Sequence, residues 1–310
     1  MPDAMKLTIA CDDYEYVQPL REGAVKIPGC STEFVRLKPG EMTKRAFDDP
    51  QFDVAELSIA QYITLRVKGA SNYVIMPIFV YHTFAHRMLY VPTGGEIRTP
   101  QDLRGRRLGI SGYDSSANTW LRGILKDEYG LQPSDIQWVQ LKPEHPRPPF
   151  QPPAGVTLET KAGESLVDLL ERGEVDALAS SRAPANTAVK PMFPDVEATV
   201  DDYFKRTGIY PIMHVMGIRT ALAERHPQLP GAVYRAFLEA KNRALAAGSM
   251  PPRVTRMRRV LGDDPLPYGL KEPNRKTLEA FARYHFEQGA SPRRYEFAEW
   301  FAPVDVSQYE

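Results

Sequence analysis

Residues 207–222, with the sequence TGIYPIMHVMGIRTAL, place a histidine inside an apolar run. Such a run predicts a buried strand. The imidazole of His214 could transfer a proton or bind a polar ligand, because an ordinary histidine titrates near pH 6.5, at about the pH of the cell. The alternative is a core histidine whose hydrogen bonds are satisfied by its neighbours. The rest of the chain has to decide between these two roles.

Two carboxylates are expected at the ends of predicted strands. Asp13 follows the β-rich run MKLTIAC, and Glu56 follows Val54 and Ala55, where FDVAELSIAQYITLRVKG changes from strand to helix. A carboxylate at such a position could take a proton or orient a histidine. The alternatives are a turn residue for Asp13 and a helix cap for Glu56.

Two histidines, His82 and His86, are four residues apart in FVYHTFAHRMLY. On a helix this spacing places both on one face as metal ligands, and His214 or Glu56 would supply a third ligand. The surrounding residues instead predict extended chain, in which the two histidines share a strand face but lie well apart. We therefore expect no cofactor, with His86 in acid–base chemistry and His82 binding the substrate. A divalent metal held by His82, His86 and His214 is the alternative.

A predicted helix opens near Ser115, Ser116 and Asn118, after the glycine turn in GYDSSANTWLRGILKDEYG. The free N–H groups and the positive end of a helix attract anions, so these residues are candidates for binding a carboxylate. Ordinary N-capping by Asp114 or Ser115 is the alternative.

Two arginines could also bind a carboxylate. Arg182 follows a predicted buried strand and precedes Ala-Pro, and its guanidinium can donate two parallel hydrogen bonds. A surface ion pair is the alternative for Arg182. Arg87 is a second candidate, with simple solvation as its alternative.

Aromatic side chains and one serine complete the candidate substrate site. Tyr14, Trp120 and Tyr210 could stack on an aromatic ring, although core packing is the expected role of Trp120. Ser58, at the end of the segment that contains Glu56, could donate a hydrogen bond to the substrate.

The elements that position these residues alternate between strands and helices, which predicts α/β architecture. RRLGIS is a strand before the helix that Gly130 closes, and LLERGEVDALASS is a helix, a glycine stop at Gly173 and another strand. Ligands of open α/β sheets lie beyond the carboxyl ends of strands. We therefore expect four loops to converge on one cleft: 12–16, 56–58, 111–119 and 180–184.

Composition excludes several classes of function. The 310 residues are 43% hydrophobic and carry 39 basic and 39 acidic side chains, so the formal net charge is zero. A balanced chain has no overall field to attract nucleic acid or an anionic membrane. We expect no signal peptide and no transmembrane run. In a chain of this size without an expected signal peptide, Cys11 and Cys30 are expected to be reduced, buried thiols and not a disulfide bridge. They have no Cys-x-x-Cys spacing and cannot form a zinc site alone.

One segment of the chain is rich in proline. Residues 142–153, KPEHPRPPFQPP, contain six prolines and cannot form a regular element. A stiff surface connection is the expected role, and a flap beside the cleft is the alternative.

The order of several phrases resembles the 4,5-dihydroxyphthalate decarboxylases, which are similar to type II periplasmic binding proteins turned into cytoplasmic enzymes. The phrases are FDVAELSIAQY, IRTPQDLRGRRLGI, WLRGILKDEYGLQPSDIQW, LLERGEVDAL, RAP, TGIYPIMHV, AFLEAKNRA, PYGLKEPNRKTLEAF and YHFEQG. The resemblance implies two lobes with mostly parallel sheets and a ligand cleft between them. Residues 1–90 and 209–310 would form the first lobe, and residues 91–208 the second.

The chain also departs from the family pattern. Asp12 stands where the family has glycine, and the segment FVYHTFAHRMLY offers His82, Ala85, His86 and Arg87 where the family tends to have arginines. The exact substrate is therefore less well predicted than the fold.

The resemblance implies decarboxylation of a hydroxylated aromatic dicarboxylate, 4,5-dihydroxyphthalate, to 3,4-dihydroxybenzoate in phthalate degradation. Such a reaction needs donors for the carboxylate that stays, a base near a phenol and an acid at the ring carbon. His214 belongs to a phrase of the family, so we interpret it as that acid or as a substrate hydrogen-bonder. A cytoplasmic homo-oligomer is expected.

Three other readings stay open. The same fold serves solute-binding proteins, other enzymes such as a menaquinone-pathway lyase or a pyrimidine synthase for thiamin, and the effector domains of transcription regulators. The expected lack of an export signal argues against a solute-binding protein. The phrases WLRGILKDEYG and PYGLKEPNR argue against the other enzymes. The absence of a helix-turn-helix motif argues against a transcription regulator.

Overall fold

The structure is a computed structural model. It describes residues 4–37, 39–48, 51–142, 152–162, 165–181 and 183–301. Arg182 and residues 143–151 of the proline-rich segment lie outside the described residues, so the roles expected for them stay predictions.

The strands alternate with helices through most of the chain, as the sequence pattern predicts. In chain order the strands are β1 (Met5–Ala10), β2 (Cys30–Val35), β3 (Val54–Ser58), β4 (Tyr73–Ile75), β5 (Tyr81–His82), β6 (Leu89–Pro92), β7 (Arg107–Ile110), β8 (Gln137–Leu141), β9 (Thr157–Lys161), β10 (Ala177–Ala179), β11 (Val189–Pro191) and β12 (Ile212–Arg219).

The described helices range in length from four residues to 18. They are α1 (Gln18–Arg21), α2 (Pro39–Asp48), α3 (Ile59–Val67), α4 (Ser116–Tyr129), α5 (Leu166–Glu171), α6 (Val196–Thr207), α7 (Thr220–Arg225), α8 (Leu229–Ala246), α9 (Pro252–Thr255), α10 (Arg258–Leu261) and α11 (Asn274–Glu287). No helix of the described residues is both long enough and apolar enough to cross a membrane.

The chain divides into two compact units. The first comprises Met1–His82, Ile212–Glu279 and Tyr295–Glu310, and the second comprises Thr83–Pro211 and Ala280–Arg294. Residues 83–90, which we expected in the first lobe, belong to the second unit because β6 pairs with β10 and β11. Residues 280–294 join the same unit because Phe281 and Tyr284 pack against Trp120.

The first unit is built on a mixed sheet of order β2-β1-β3-β12-β4, with β5 also paired to β12. The strands β2, β1 and β3 are parallel, whereas β12 runs antiparallel to β3, β4 and β5. Along β1 the exposed Lys6 alternates with the buried Leu7 and Ile9, which belong to one apolar cluster with residues of α8. Burial of this cluster drives the unit's formation.

The second unit has its own mixed sheet, of order β11-β6-β10-β7-β8-β9. The four strands from β10 to β9 are parallel. Strand β6 runs antiparallel to both of its neighbours, β10 and β11. Helix α4 follows β7, begins at the N-cap Ser115 and ends at Gly130, whose φ of 68° is the left-handed conformation that favours glycine. Two α/β units confirm the predicted fold class, and both sheets contain antiparallel strands.

The apolar run 73–82 predicts one strand, but the structure divides it into β4 and β5. Pro77 lies between them and has no N–H to donate to a sheet ladder. Its carbonyl instead accepts a hydrogen bond from the N–H of Gly269 at 2.9 Å. The segment AHRMLYV, residues 85–91, also predicts a strand, but Ala85–Met88 forms a 3₁₀ turn and β6 begins only at Leu89.

Candidate functional site

The ladder between β3 and β12 brings Glu56 and His214 to one face of the first unit's sheet. Ser58 lies directly opposite His214, and Glu56 lies opposite Met216. Alternate residues of a strand share a face, so Glu56 and Ser58 point the same way. Glu56 is therefore the diagonal neighbour of His214, a relationship that long side chains can bridge.

The carboxylate of Glu56 is engaged at both oxygens. Its Oε1 lies 2.6 Å from Nδ1 of His214 and accepts a 2.7 Å hydrogen bond from the hydroxyl of Tyr14. Its Oε2 accepts a 2.9 Å hydrogen bond from the backbone N–H of Asp12. Glu56 is buried, and these bonds provide the partners that a buried carboxylate needs.

The environment of Glu56 favours its ionised form. Burial by itself raises the pKa of Glu56, but the hydrogen bond and charge of His214 oppose it, together with the bonds from Asp12 and Tyr14, and the net pKa is lowered. An ionised carboxylate can only accept hydrogen bonds, so the proton between the two residues lies on Nδ1 of His214.

His214 is the partner that solvent can reach. Its side chain is 18% exposed, against 2% for Glu56. With Nδ1 committed to the carboxylate, the second ring nitrogen, Nε2, is left to exchange protons. A carboxylate that fixes the tautomer and orientation of an imidazole is the arrangement of general acid–base catalysts.

Aromatic rings surround this pair. The ring of Tyr81 lies 5.4 Å from the ring of His214 and stacks at 6.5 Å on Tyr14, which in turn stacks at 5.1 Å on Tyr16. The hydroxyl of Tyr16 donates to the carbonyl of Val80. Tyr14 therefore acts as a structural donor to Glu56 and packs within the protein, in a position different from the ring-stacking role we expected.

The two cysteines are free thiols, as predicted. Cys11 is fully buried, and its burial and the charge of Glu56 raise the pKa of its thiol well above the ordinary range. A thiol in that state is a poor nucleophile. Cys11 therefore contributes to the buried apolar cluster that also contains Tyr14 and Tyr16.

Asp13 is turned away from this pair. Its carboxylate forms ion pairs with Arg36 at 2.9 Å and with Arg21 at 3.5 Å, and it accepts a hydrogen bond from Gln18. The reason is local, since β1 ends at Ala10 and the chain has already turned outward by residue 13. Of the two predicted carboxylates, Glu56 is the one that contacts His214, and it lies in the middle of β3 and not at a strand end.

The three histidines of the metal alternative occupy different elements. His82 lies on β5 opposite Ile212, with its ring 6.3 Å from Phe79, while His214 lies opposite Tyr81. His86 lies in the 3₁₀ turn of the second unit, because the chain is not extended there. Within the described ranges, no three His, Cys, Asp or Glu side chains are grouped so that they could hold a metal ion.

His86 is enclosed by aromatic rings within the second unit. Its ring lies 5.0 Å from Tyr203, 5.5 Å from Phe193 and 6.2 Å from Tyr129. Both ring nitrogens are buried and have no hydrogen-bond partner among the described residues. Burial, with the charges of nearby arginines, lowers the pKa of His86 to about 4. This neutral, enclosed ring differs from the proton-transfer role we expected.

The start of α4 is capped from within. Ser115 accepts a 3.2 Å hydrogen bond from the N–H of Asn118, whose side chain donates at 2.7 Å to the carbonyl of Gly112. Ser116, the first residue of the helix, is buried. Capping thus uses the hydroxyl of Ser115, and the remaining N–H groups of the first turn still provide the positive helix end that we expected to attract an anion.

The other predicted substrate-binding residues of the second unit have protein partners. Arg87 forms a two-pronged ion pair with Glu197. Tyr210 stacks at 5.4 Å on Phe84. Trp120 packs in the core, as expected.

Tyr81 is not among the predicted site residues, yet it lies opposite His214 in the sheet and contacts its ring. The available signal was the period of two, because Tyr81 and His82 are adjacent and must point to opposite faces of a strand. The paired position could be recognised only once the register of β5 and β12 was known.

Comparisons with solved structures place the fold. The aliphatic sulphonate binding protein SsuA from Escherichia coli matches with a TM-score of 0.59 at 17% identity, covering 98% of this chain and 94% of that one. The desulfurization enzyme DSZB matches with a TM-score of 0.57 at 14% identity, covering 96% of each chain. Both a binding protein and an enzyme share the architecture, so the fold alone does not decide the activity.

Comparisons of sequence are more specific. A family model described as NMT1/THI5 like matches residues 37–150. A 4,5-dihydroxyphthalate decarboxylase from Pseudomonas putida is 31% identical over 211 residues, covering 65% of this chain and 82% of the relative. A 4,5-dihydroxyphthalate decarboxylase from Comamonas testosteroni is 34% identical over 327 aligned positions, covering 99% of both proteins. As the sequence phrases predicted, the chain belongs to the family of the 4,5-dihydroxyphthalate decarboxylases.

Proposed function

We propose that this protein is a carboxy-lyase that converts 4,5-dihydroxyphthalate to 3,4-dihydroxybenzoate and CO₂. The proposal is supported by the names of two relatives, one of them matched over nearly its full length. The pair formed by Glu56 and His214 carries it chemically, because it gives the first unit an oriented, partly exposed imidazole.

The reaction needs protonation before loss of CO₂. Direct loss would leave an aryl anion, whereas each carboxylate of this substrate is para to a hydroxyl. Removal of that phenolic proton pushes electrons into the ring, and a proton then adds to the carbon that bears the carboxylate. The resulting dienone loses CO₂, its C–C bonding electrons restore the aromatic ring, and the phenolate regains a proton. The net reaction consumes one proton and needs no oxidant.

In this proposal His214 delivers the proton to the ring carbon from Nε2. Glu56 holds Nδ1 and so fixes the ring's orientation, and Tyr14 in turn holds Glu56. A well-placed acid contributes roughly 10²- to 10⁴-fold to a rate, and positioning and electrostatic preorganisation contribute the rest of the acceleration. Glu56 and Tyr14 are positioning residues, because both are buried and act through the imidazole.

As part of the same proposal, the enzyme works without metal or other cofactor, as a cytoplasmic homo-oligomer in phthalate breakdown. The electron flow from the phenolate supports the absence of a metal or cofactor, since it provides the driving force that a metal or an electron sink would otherwise supply. Assay of chelator-treated protein tests it, and size-exclusion chromatography with light scattering measures the assembly.

The decisive experiment measures CO₂ and 3,4-dihydroxybenzoate from 4,5-dihydroxyphthalate with the purified, chelator-treated protein. We expect turnover by the wild type and a loss of at least about 100-fold in His214→Gln, with unchanged melting temperature. His226→Gln is the matched control, since His226 lies at the end of α7 in the same unit and should leave turnover unchanged.

Three other outcomes would overturn the proposal or a part of it. Tight binding of the substrate without any product would indicate a solute-binding protein. Near-normal turnover by His214→Gln would exclude His214 as the acid. Activity that returned only after addition of a divalent ion would contradict the cofactor-free mechanism.

A further inference from the structure

The proposed substrate keeps one of its two carboxylates, and this group needs a positive partner. The two arginines predicted from the sequence, Arg87 and Arg182, do not provide a free positive charge for this carboxylate among the described residues. Arg87 is neutralised by Glu197, and Arg182 lies outside the described residues. In the first unit, Arg21 and Arg36 both form ion pairs with Asp13.

Arg253 lies beside Tyr81, the tyrosine whose ring contacts His214. Its guanidinium carbon is 5.3 Å from the centre of the Tyr81 ring, and that ring is 5.4 Å from the ring of His214. The cation and the imidazole therefore contact the same tyrosine. Their separation cannot exceed the sum of these two distances, a span that a benzene ring with an adjacent carboxylate can bridge.

The backbone that carries Arg253 is fixed while its side chain is exposed. Arg253 belongs to the short helix α9, and the next residue, Val254, is buried in the same apolar cluster as Tyr14 and Tyr16. The side chain of Arg253 is exposed, and it forms no hydrogen bond or ion pair with any residue that the structure describes. It thus presents an uncompensated charge at a defined place.

The charge of Arg253 also reaches the tyrosine stack. Burial raises the pKa of Tyr16 well above its ordinary range, and among the charged neighbours Arg253 opposes that rise. Tyr16 stacks on Tyr14, the donor to Glu56. An anion near Arg253 would therefore lie on the side of the sheet that carries the pair formed by Glu56 and His214.

We propose that Arg253 binds the carboxylate that the substrate retains, and so makes the enzyme select ring dicarboxylates. This inference rests on the proposed function. A guanidinium matches a carboxylate through two parallel hydrogen bonds, and stacking on Tyr81 holds its plane in place. Because the same carboxylate is present in the product, Arg253 also determines product affinity and acts mainly on binding.

The test compares ligands that differ by this one carboxylate. Calorimetry measures the binding of 3,4-dihydroxybenzoate, which retains it, and of catechol, which lacks it, to the wild type and to Arg253→Gln. We expect the variant to bind 3,4-dihydroxybenzoate about 10- to 100-fold more weakly, with catechol binding unchanged. Arg253→Lys keeps the charge but loses the planar fork, and should fall between the two proteins.

Arg258→Gln is the matched control, because Arg258 is an exposed arginine on the following helix, α10. It should bind both ligands as the wild type does. Equal affinity of Arg253→Gln and the wild type for 3,4-dihydroxybenzoate would overturn the proposal. An equal loss of affinity for catechol would also overturn it, since that result would indicate a structural role for the stacked arginine.

A failure of the proposed decarboxylation can be distinguished from a failure of carboxylate binding by Arg253. Phthalate, a dicarboxylate without hydroxyls, cannot follow the dienone route but should bind through the same carboxylate. If the wild type does not turn over 4,5-dihydroxyphthalate, the reaction is refuted. A loss of phthalate affinity in Arg253→Gln would then still support carboxylate binding by Arg253, and an unchanged affinity would refute it.

Discussion

Nδ1 of His214 lies 2.6 Å from Oε1 of Glu56, although the two residues are 158 positions apart and do not face each other directly in the sheet. Their diagonal relationship leaves Ser58 as the direct neighbour of His214 and places the carboxylate against one nitrogen only. In the proposed mechanism the other nitrogen, Nε2, transfers the proton. The antiparallel register of β3 and β12 brings Glu56 within reach of Nδ1 of His214.

Replacing Glu56 by Gln should lower kcat by roughly 10²- to 10⁴-fold, because a neutral amide no longer holds the proton on Nδ1. The residue keeps its size, so the melting temperature should change far less than in Glu56→Ala, which leaves a cavity under His214. Steady-state kinetics and thermal unfolding measure both effects. A Glu56→Gln enzyme with wild-type kcat would show that the carboxylate does not orient the acid.

Removing the hydroxyl of Tyr14 should shift the pH profile. Its hydrogen bond is one cause of the lowered pKa of Glu56, so Tyr14→Phe should raise that pKa. The ionised carboxylate stabilises the fold above its unfolded pKa, and this contribution is lost as pH falls through the folded pKa. The proposed mechanism also needs the ionised carboxylate to orient His214. We therefore expect the acid limb of kcat against pH to move to higher pH in Tyr14→Phe.

The same variant should lose about 1–3 kcal/mol of stability at neutral pH. Tyr16→Phe is its control, because the hydroxyl of Tyr16 bonds to the carbonyl of Val80 and not to Glu56. Identical acid limbs in Tyr14→Phe and Tyr16→Phe would refute the coupling of Tyr14 to Glu56.

Gly217 allows β12 to lie close to its neighbours. A Cβ at this position would be 2.5 Å from Cδ1 of Leu57 and 3.3 Å from Cβ of Tyr73, so in Gly217→Ala either the Leu57 side chain or the strand that carries His214 must shift. We expect a loss of about 1–3 kcal/mol in the free energy of unfolding, together with lower activity. Denaturant titration measures the loss. Gly94→Ala, with open space around the new methyl group, should be close to neutral.

His86 should make the fold sensitive to acid. Burial, with the charges of Arg206 and Arg87, lowers its pKa from 6.5 to about 4. Between these values the unfolded chain binds the proton and the folded chain does not, so stability falls as pH decreases from about 6.5 to 4. The full loss is about 3 kcal/mol.

His86→Phe keeps an aromatic ring in the same enclosure and removes the titrating group. The variant should show a smaller decrease in stability across this pH range, measured by denaturant titration at several pH values. An equal slope in the variant and the wild type would mean that other groups cause the acid sensitivity.

The sequence by itself determined the α/β class, the family and the strand that carries His214. These three features follow from local patterns. Helix and strand periodicities, capping residues and glycine stops depend only on residues that are close together in the sequence. Helix α4, from its cap at Ser115 to Gly130, is one such prediction. Glu56 was also a candidate, because the sequence predicts a change from strand to helix at this position.

Only the tertiary structure decided which candidates act together. Glu56 and Asp13 were equivalent in the sequence, yet one meets His214 and the other meets two arginines. Arg253 had no distinguishing local signal, and Tyr81 had only the period of two of its strand. Both matter because of contacts with residues far away in the chain, Arg253 with Tyr81 and Tyr81 with His214. The physical reason is that register and the direction of each side chain depend on pairing between distant strands, and a shift of one residue moves a side chain to the opposite face of the sheet.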